Sequence, residues 1–287
     1  MRSYTGHAPA PLAQDARGIV DPHVLADLVH FARYPPGDAL DGVVDRFWAV
    51  AWDLAPGRFH DQPVLTHPCA NIVVTQEADG RLSAVLAGVA RRLTVRRLSG
   101  RGWAVAAMSR PGGLGALLPR RADAVTDRVL PLGEALGVED HPLLSALAEA
   151  GHAPDDEPGR VDRLRGWLGA ALARADPTRV AAAREVVRVA VLAETDRSIR
   201  RLEDLATMAG TTPRTLQRAF AEYAGVSPTW VVRRYRIIEA AERARAGAVV
   251  GWAQVAAELG YADQAHLVRD FKAHLGTTPA AYAARAR

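Results

Sequence analysis

The chain has 287 residues, 49% hydrophobic and 24% charged, a composition that excludes a disordered polymer and leaves room for two globular domains. Its formal charge of +4 is unevenly placed: residues 197–287 hold fourteen Arg and Lys against eight Asp and Glu, a net of +6, which leaves −2 for everything before them. The single cysteine, Cys69, excludes an intrachain disulfide, and no run reaches the ~18 apolar residues of a membrane span.

This asymmetry points to a basic C-terminal module that meets a polyanion and a near-neutral N-terminal module that does not. Lys272 is the only lysine, so almost every positive charge is a guanidinium. That suits bidentate contacts to phosphate and guanine, and equally reflects a codon preference. The N-terminus lacks the apolar segment of a secretory signal, so a reducing, cytoplasmic setting without a membrane partner is expected.

In chain order, residues 1–33 read as a loose Pro/Ala/Gly-rich tail and a short helix over 22–31. Pro35-Pro36-Gly37 then breaks the pattern. Aromatic and β-branched residues make 43–53 a strand. Segments 71–75 and 82–88 flank Glu77-Ala78-Asp79-Gly80, a hairpin signal. Segments 93–98 and 103–108 flank a second turn at 99–102. Five or six short strands between 43 and 108 imply a mostly antiparallel sheet or small barrel. Short helices over 114–118, 132–136 and 142–150 make residues 34–152 an α+β N-terminal domain.

Residues 151–159 are a polar linker. Val161, Leu164, Trp167, Leu168 and Leu172 keep helical spacing, so 153–177 reads as a linker and an amphipathic helix over 160–175. A further helix, 178–194, opens an all-α C-terminal domain, 178–287, and is expected to pack on it.

That domain holds one pattern twice, at 202–220 and 252–271: a short helix, a turn, and a second helix with an exposed polar-basic face. In the first copy Leu202, Leu205, Ala206 and Ala209 form an apolar face, Gly210 closes the helix, and Thr212 caps the next with Pro213 at its first position. Leu216, Ala219 and Phe220 face inward, leaving Arg214, Gln217 and Arg218 outward. In the second, Val255, Ala256 and Leu259 face inward, Gly260 closes and Asp263 caps. Leu267, Asp270 and Phe271 turn inward, and Ala265, His266, Arg269 and Lys272 outward. A long Arg-rich helix, 228–246, joins the two. Two such helices about 34 Å apart can read one face of a duplex, Arg pairing with guanine and Gln with adenine.

Residues 178–287 resemble the DNA-binding domain of AraC-type transcriptional regulators. The match rests on Leu205-Ala206, Gly210, Leu216, Arg218-Ala219-Phe220, Gly225-Val226-Ser227-Pro228, Arg236, Ala240-Ala241, Ala256, Leu259-Gly260-Tyr261, Asp263-Gln264, Phe271-Lys272, Gly276-Thr277-Thr278-Pro279 and Tyr282. The resemblance implies two recognition helices in adjacent major-groove segments. Arg201 stands where the family has Ser or Thr, and Ala265 and Leu267 replace a polar residue and Phe. The first unit is therefore expected to read bases and the second mainly to anchor. The N-terminal half resembles an uncharacterised sensor-type domain of some such regulators, through Tyr34-Pro35-Pro36, His67-Pro68, Asn71, Gly100-Arg101-Gly102-Trp103 and Arg110-Pro111-Gly112-Gly113.

The expected function is a sequence-specific transcriptional regulator, not an enzyme, controlled through its N-terminal domain by a small molecule or by dimerisation. The expected DNA-contacting set is Thr212, Arg214, Thr215, Gln217, Arg218, Arg233, Arg234, Gln264, Ala265, His266, Arg269 and Lys272, with Arg243 added at the phosphates. Double-stranded DNA is the partner; an unknown small-molecule effector, a second copy of the chain and RNA polymerase complete the set. No cofactor is implied, and His7, His60 and His67 lack metal-ligand spacing. Phe47, Trp48, Trp52 and Trp103 suit a core, or the lining of a small-molecule pocket. The alternative is a DNA-binding domain fused to a thiol-based enzyme or sensor, with Cys69 as nucleophile.

Overall fold

The structure, a computed structural model, describes residue 19 and residues 22–149, 156–246 and 251–285. The expected tail at 1–18, linker residues 151–155 and residue 150 of the expected third short helix lie outside the described residues. An antiparallel sheet domain precedes a helical one, as the sequence implies.

Period-two alternation shows most clearly in β2, Val44–Asp53, where Phe47, Ala49 and Ala51 take one face and Trp48, Val50 and Trp52 the other. β2 pairs antiparallel with β7 (Arg101–Ser109), β7 with β4 (Asn71–Gln76), and β4 with β5 (Leu82–Ala87). With β1 (Val29–Tyr34) and β8 (Val129–Pro131) at the ends, the sheet runs β1-β2-β7-β4-β5-β8. The expected β4–β5 hairpin forms, with Gly80 at φ +79° in its turn. β3 (Phe59–Val64) and β6 (Thr94–Ser99) form a separate two-stranded ribbon.

The sheet departs from expectation in three places. The helix expected over 22–31 stops early: α1 is Pro22–Ala26, and β1 follows, because Val29 and Phe31 find the apolar cross-strand partners Trp52 and Val50. The turn at 99–102 joins no hairpin. Both edges of β7 are taken, by β2 and β4, so β6 has no place beside it and pairs with β3. Gly102 makes this crossing passable, since a Cβ there would sit 2.5 Å from the Trp52 ring. β3 and β8 went unanticipated. β3 contains Pro63, which a two-stranded ribbon tolerates and a central strand would not, and β8 has only three residues.

One sheet face, with Phe47, Ile72, Val74, Leu86 and Val105, packs on α2 (Leu132–Leu136), α3 (His141–Glu149) and α4 (Glu157–Arg174). Val161, Leu164 and Leu168 of α4 are 0% exposed, and burying such side chains stabilises by about 1.5–3 kcal/mol each, so α4 is part of this core rather than a tether. α5 (Pro177–Thr195) is shared. Its Ala183 packs into the sheet domain's core, while Val186, Val189, Ala190 and Ala193 pack into the first helical core. Arg110-Pro111-Gly112-Gly113 is where α5 meets the sheet domain: a Cβ on Gly112 would lie 2.6 Å from Val186 Cγ1.

The C-terminal region continues with α6 (Leu202–Met208), α7 (Pro213–Tyr223), α8 (Pro228–Arg245), α9 (Trp252–Glu258), α10 (Gln264–Leu275) and α11 (Pro279–Arg285). α8 runs through two small cores. Val231 and Val232 belong to the first, with Leu205, Leu216 and Phe220. Ile237, Ile238, Ala241 and Ala244 belong to the second, with Val255, Leu267 and Phe271. The sheet domain enters both, sending Val89 into the first and Leu65 into the second.

Candidate nucleic-acid interface and effector cavity

The second helix of each unit starts on the cap its sequence supplies. Thr212 Oγ1 accepts from the Thr215 N–H at 3.2 Å and starts α7; Asp263 Oδ1 accepts from the His266 N–H at 2.7 Å and starts α10. Ser227 Oγ does the same for α8, accepting from Trp230 N–H at 3.2 Å. Arg201, which cannot accept, is served from the other side: Asp204 Oδ2 accepts from the N–H groups of Arg200 and Arg201, both at 2.9 Å. Gly210 (φ +64°) and Gly260 (φ +74°) make the left-handed turns inside the two units.

On α7, Leu216 and Phe220 are buried, and Arg214, Thr215, Gln217 and Arg218 are exposed, together with the capping Thr212. On α10, Leu267 and Phe271 are buried, and Gln264, Ala265, Arg269 and Lys272 are exposed. His266 is half-buried, its ring edge-on to Tyr261 at 5.1 Å. Tyr261 donates to Asp270 Oδ2 at 2.9 Å, and burial raises its phenol pKa, so it stays a donor. Arg233 is exposed.

Two expected phosphate contacts need correction. Arg234 is 0% exposed: its Nη2 donates to the backbone carbonyl of Arg91 at 2.6 Å, and its guanidinium stacks on Trp230, 4.6 Å from the ring centroid. Burial lowers its pKa to about 10, which still leaves it charged at neutral pH. A cation enclosed between two domains cannot reach a phosphate from this position. Arg243 is held between Glu239, at 2.8 Å, and Glu258. Its charge is neutralised within the fold.

Arg236 had been given no role. Its Nη2 donates to the Ile199 carbonyl at 2.5 Å, tying the chain just before α6 to the middle of α8. The available signals were an arginine flanked by the apolar run of a central helix and its place among the residues that carry the family resemblance.

Among the described residues, the second sheet face meets only α1, whose Leu25 packs at its edge on Val29 and Phe31. Between this face and the β3–β6 ribbon lies a cavity of about 1020 Å³. Trp48, Val50, Trp52, Val73, Val85 and Ala104 line the sheet side, and Val64, Val95 and Leu98 the ribbon side. Of the four aromatics expected in a core or a pocket, Trp48 and Trp52 are in the cavity wall, and Phe47 and Trp103 are in the helix-packed core. Trp48 Nε1 donates to Asn71 Oδ1 at 3.2 Å, and Trp52 Nε1 to the Ser99 carbonyl at 3.1 Å, so both indoles are held. Seven arginines and two carboxylates, Glu77 and Asp127, also line the space; Arg46, Arg91 and Arg97 are paired with Asp45, Asp127 and Asp61, and the remaining four arginines leave the apolar space net positive.

Cys69 is in this lining and only 4% exposed, and burial pushes its thiol pKa well up. A thiol kept protonated is a poor nucleophile, so the geometry gives no support to the enzymatic alternative.

A sheet domain bordering a half-open cavity is docked on two helix-turn-helix units with exposed polar-basic helices, the arrangement of a DNA-binding protein with a further domain attached. A helix-turn-helix domain model matches residues 205–285, and the model of a domain of unknown function, DUF6597, matches residues 32–131. Residues 205–285 thus carry a helix-turn-helix domain of the AraC type, and the chain is a DNA-binding transcriptional regulator. No curated protein matches the chain. Among solved structures, ToxT from Vibrio cholerae is similar at 13% identity over 83% of this chain and 98% of its own, with a TM-score of 0.43. A structure of wild-type Vibrio cholerae ToxT with an unsaturated fatty acid bound is similar at 14% identity, over 83% and 94%, with a TM-score of 0.40. The AraC-like transcriptional activator CuxR shows 16% identity over 75% and 88%, with a TM-score of 0.25. Among the described residues, no helix is long and apolar enough to cross a membrane.

Proposed function

We propose that this regulator is switched by a small molecule held in the N-terminal cavity, an apolar compound bearing an acidic group. The observation that carries the reading is the cavity itself. A volume of about 1020 Å³ matches the upper end of small-molecule sites, and its walls combine two fixed indoles with aliphatic side chains. The excess of guanidinium over carboxylate along the lining sets the sign of the ligand's polar group.

At the DNA, Arg214, Gln217 and Arg218 supply base discrimination, with Thr212 and Thr215 at the helix start positioned for the adjacent phosphate. Gln264, Ala265, His266, Arg269 and Lys272 form the second contact, mainly to the backbone, and Arg233 adds a phosphate contact. A second copy of the chain and RNA polymerase are the remaining proposed partners. Sedimentation of free and DNA-bound protein tests the first, and transcription in vitro tests the second.

The test of the effector reading uses a duplex selected from a random pool by the protein. Binding is measured with and without a panel of aromatic and aliphatic carboxylates, in wild type and in Ala104→Trp, which narrows the cavity at its sheet wall. A carboxylate should change wild-type affinity and change that of the narrowed variant less. A panel without effect on wild type, or with equal effect on both, would remove the cavity from the reading.

A further inference from the structure

The cavity has one wall in common with the DNA-binding domain. Leu65 and Leu93 line it, and the same two side chains pack in the second helical core with Ile237 and Ile238 of α8. Between the two surfaces runs the segment 89–93. Its Arg91 is clamped from the cavity side by Asp127, whose Oδ1 accepts from the Arg91 N–H at 2.7 Å and whose Oδ2 accepts from Arg91 Nε at 2.6 Å. From the other side, the Arg91 carbonyl accepts from Arg234 Nη2 at 2.6 Å.

Both ends of this relay carry signs of tension. Asp127 has φ +58°, the one positive φ outside glycine among the described residues, and such strain persists only where the surroundings impose it. Arg234 is fully buried, yet its Nε and Nη1 find no hydrogen-bond partner. A buried guanidinium satisfied at one nitrogen is a costly group to keep, held in place by domain docking.

We propose that Arg234 is the positioning residue through which cavity occupancy reaches the DNA-binding domain, by its bond to the backbone of Arg91. The proposal rests on the cavity being an effector site. An anionic ligand competes with Asp127 for the Arg91 guanidinium. Losing the clamp lets residues 89–93 shift, the Arg91 carbonyl leaves Arg234, and α8 is freed from the sheet domain. Because α8 passes through the cores of both helix-turn-helix units, releasing it changes the setting of both recognition helices. Coupling of this kind is reciprocal, so a change at Arg234 must also alter binding in the cavity, which Arg234 does not line.

The test uses full-length protein and anilinonaphthalene sulfonate, a fluorescent aromatic anion, as the probe. Fluorescence titration gives its affinity, and amide hydrogen exchange of residues 228–245 is followed with and without it. In wild type and in Arg234→Lys, saturating probe should speed exchange in α8 by about fivefold or more. In Arg234→Gln, α8 should exchange fast without probe, the probe should add nothing, and probe affinity should rise. Asp127→Asn, which weakens the clamp from the cavity side and leaves Arg234 intact, should reproduce the fast exchange even if Arg234→Gln fails to fold. Saturable binding with exchange changes confined to the sheet domain, or an Arg234→Gln protein that responds as wild type does, overturns the coupling and leaves the cavity reading standing. An absence of saturable binding to wild type removes the cavity reading and the coupling with it.

Discussion

Thr126, in the sheet domain, donates its hydroxyl to the carbonyl oxygen of Gly225 at 2.7 Å, at the turn between recognition helix α7 and α8. Gly225 has φ +76°, and a Cβ there would lie 2.6 Å from Thr126 Oγ1 and 2.8 Å from the Ala122 carbonyl. The sheet domain therefore sits directly on the turn that sets α7 against α8. Arg179 reinforces the contact from α5, reaching the Gly115 carbonyl at 2.8 Å and Glu222 of α7 at 3.0 Å.

Gly225→Ala should destabilise the protein by about 1–3 kcal/mol from backbone strain alone, with a further loss where the domains are pushed apart. Thr126→Val, which removes only the hydrogen bond, should cost about 1 kcal/mol. Denaturant unfolding followed by circular dichroism measures both. A Gly225→Ala protein as stable as wild type would contradict the close approach.

Asp204 gives a pH dependence with a definite sign. Backbone N–H groups of Arg200, then Arg201, hold its carboxyl below the usual value. A depressed folded pKa means that the cap on α6 is fully present above the unfolded value of about 3.9 and is lost as pH falls through the lower folded value. An NMR titration should show the Arg200 and Arg201 amide protons moving together in that acid range. In Asp204→Asn the shared step should be absent. If the two amides titrate alike in wild type and variant, the cap is misassigned.

Cys69 should resist iodoacetamide at neutral pH in the folded protein and react once the chain is unfolded in guanidinium. Mass spectrometry reads the modification. Rapid labelling of the native thiol would show that burial does not hold it protonated, and would revive the thiol-sensor alternative.

The second helix-turn-helix unit should act mainly through phosphates. Replacing Arg269 and Lys272 together by Ala should weaken binding to all sequences alike and reduce the slope of log affinity against log salt by about 2, roughly one unit for each cation. A loss confined to one base position, with the salt slope unchanged, would make them base readers.

Much of the C-terminal domain was legible because its signals are local. Thr212 and Asp263 cap the helices they precede, and the apolar spacing of Leu216 and Phe220 fixes which face of α7 stays outside. The strand carrying Phe47, Trp48 and Trp52 was legible for the same reason. Legibility failed where a second element decides the outcome. Nothing around residues 99–102 tells β6 that both edges of β7 are already occupied. Arg233 and Arg234 are adjacent and chemically identical, yet one is exposed and the other is 0% exposed, because the sheet domain covers one side of α8 and not the other. Trp48 and Trp52 were legible as a pocket lining, but the cavity's second wall was not, since it is a ribbon whose first strand, β3, breaks the usual strand composition at Pro63.

The account turns on α7 reading bases with Arg214 and Arg218. Fluorescence anisotropy of a duplex selected by the protein, titrated with wild type and with Arg214→Ala plus Arg218→Ala at one salt concentration, tests it directly. Each base-reading arginine contributes about 1–3 kcal/mol of discrimination, so the double variant should lose its preference for the selected duplex over a scrambled one by about tenfold at least. A double variant that keeps wild-type affinity and preference would contradict the account.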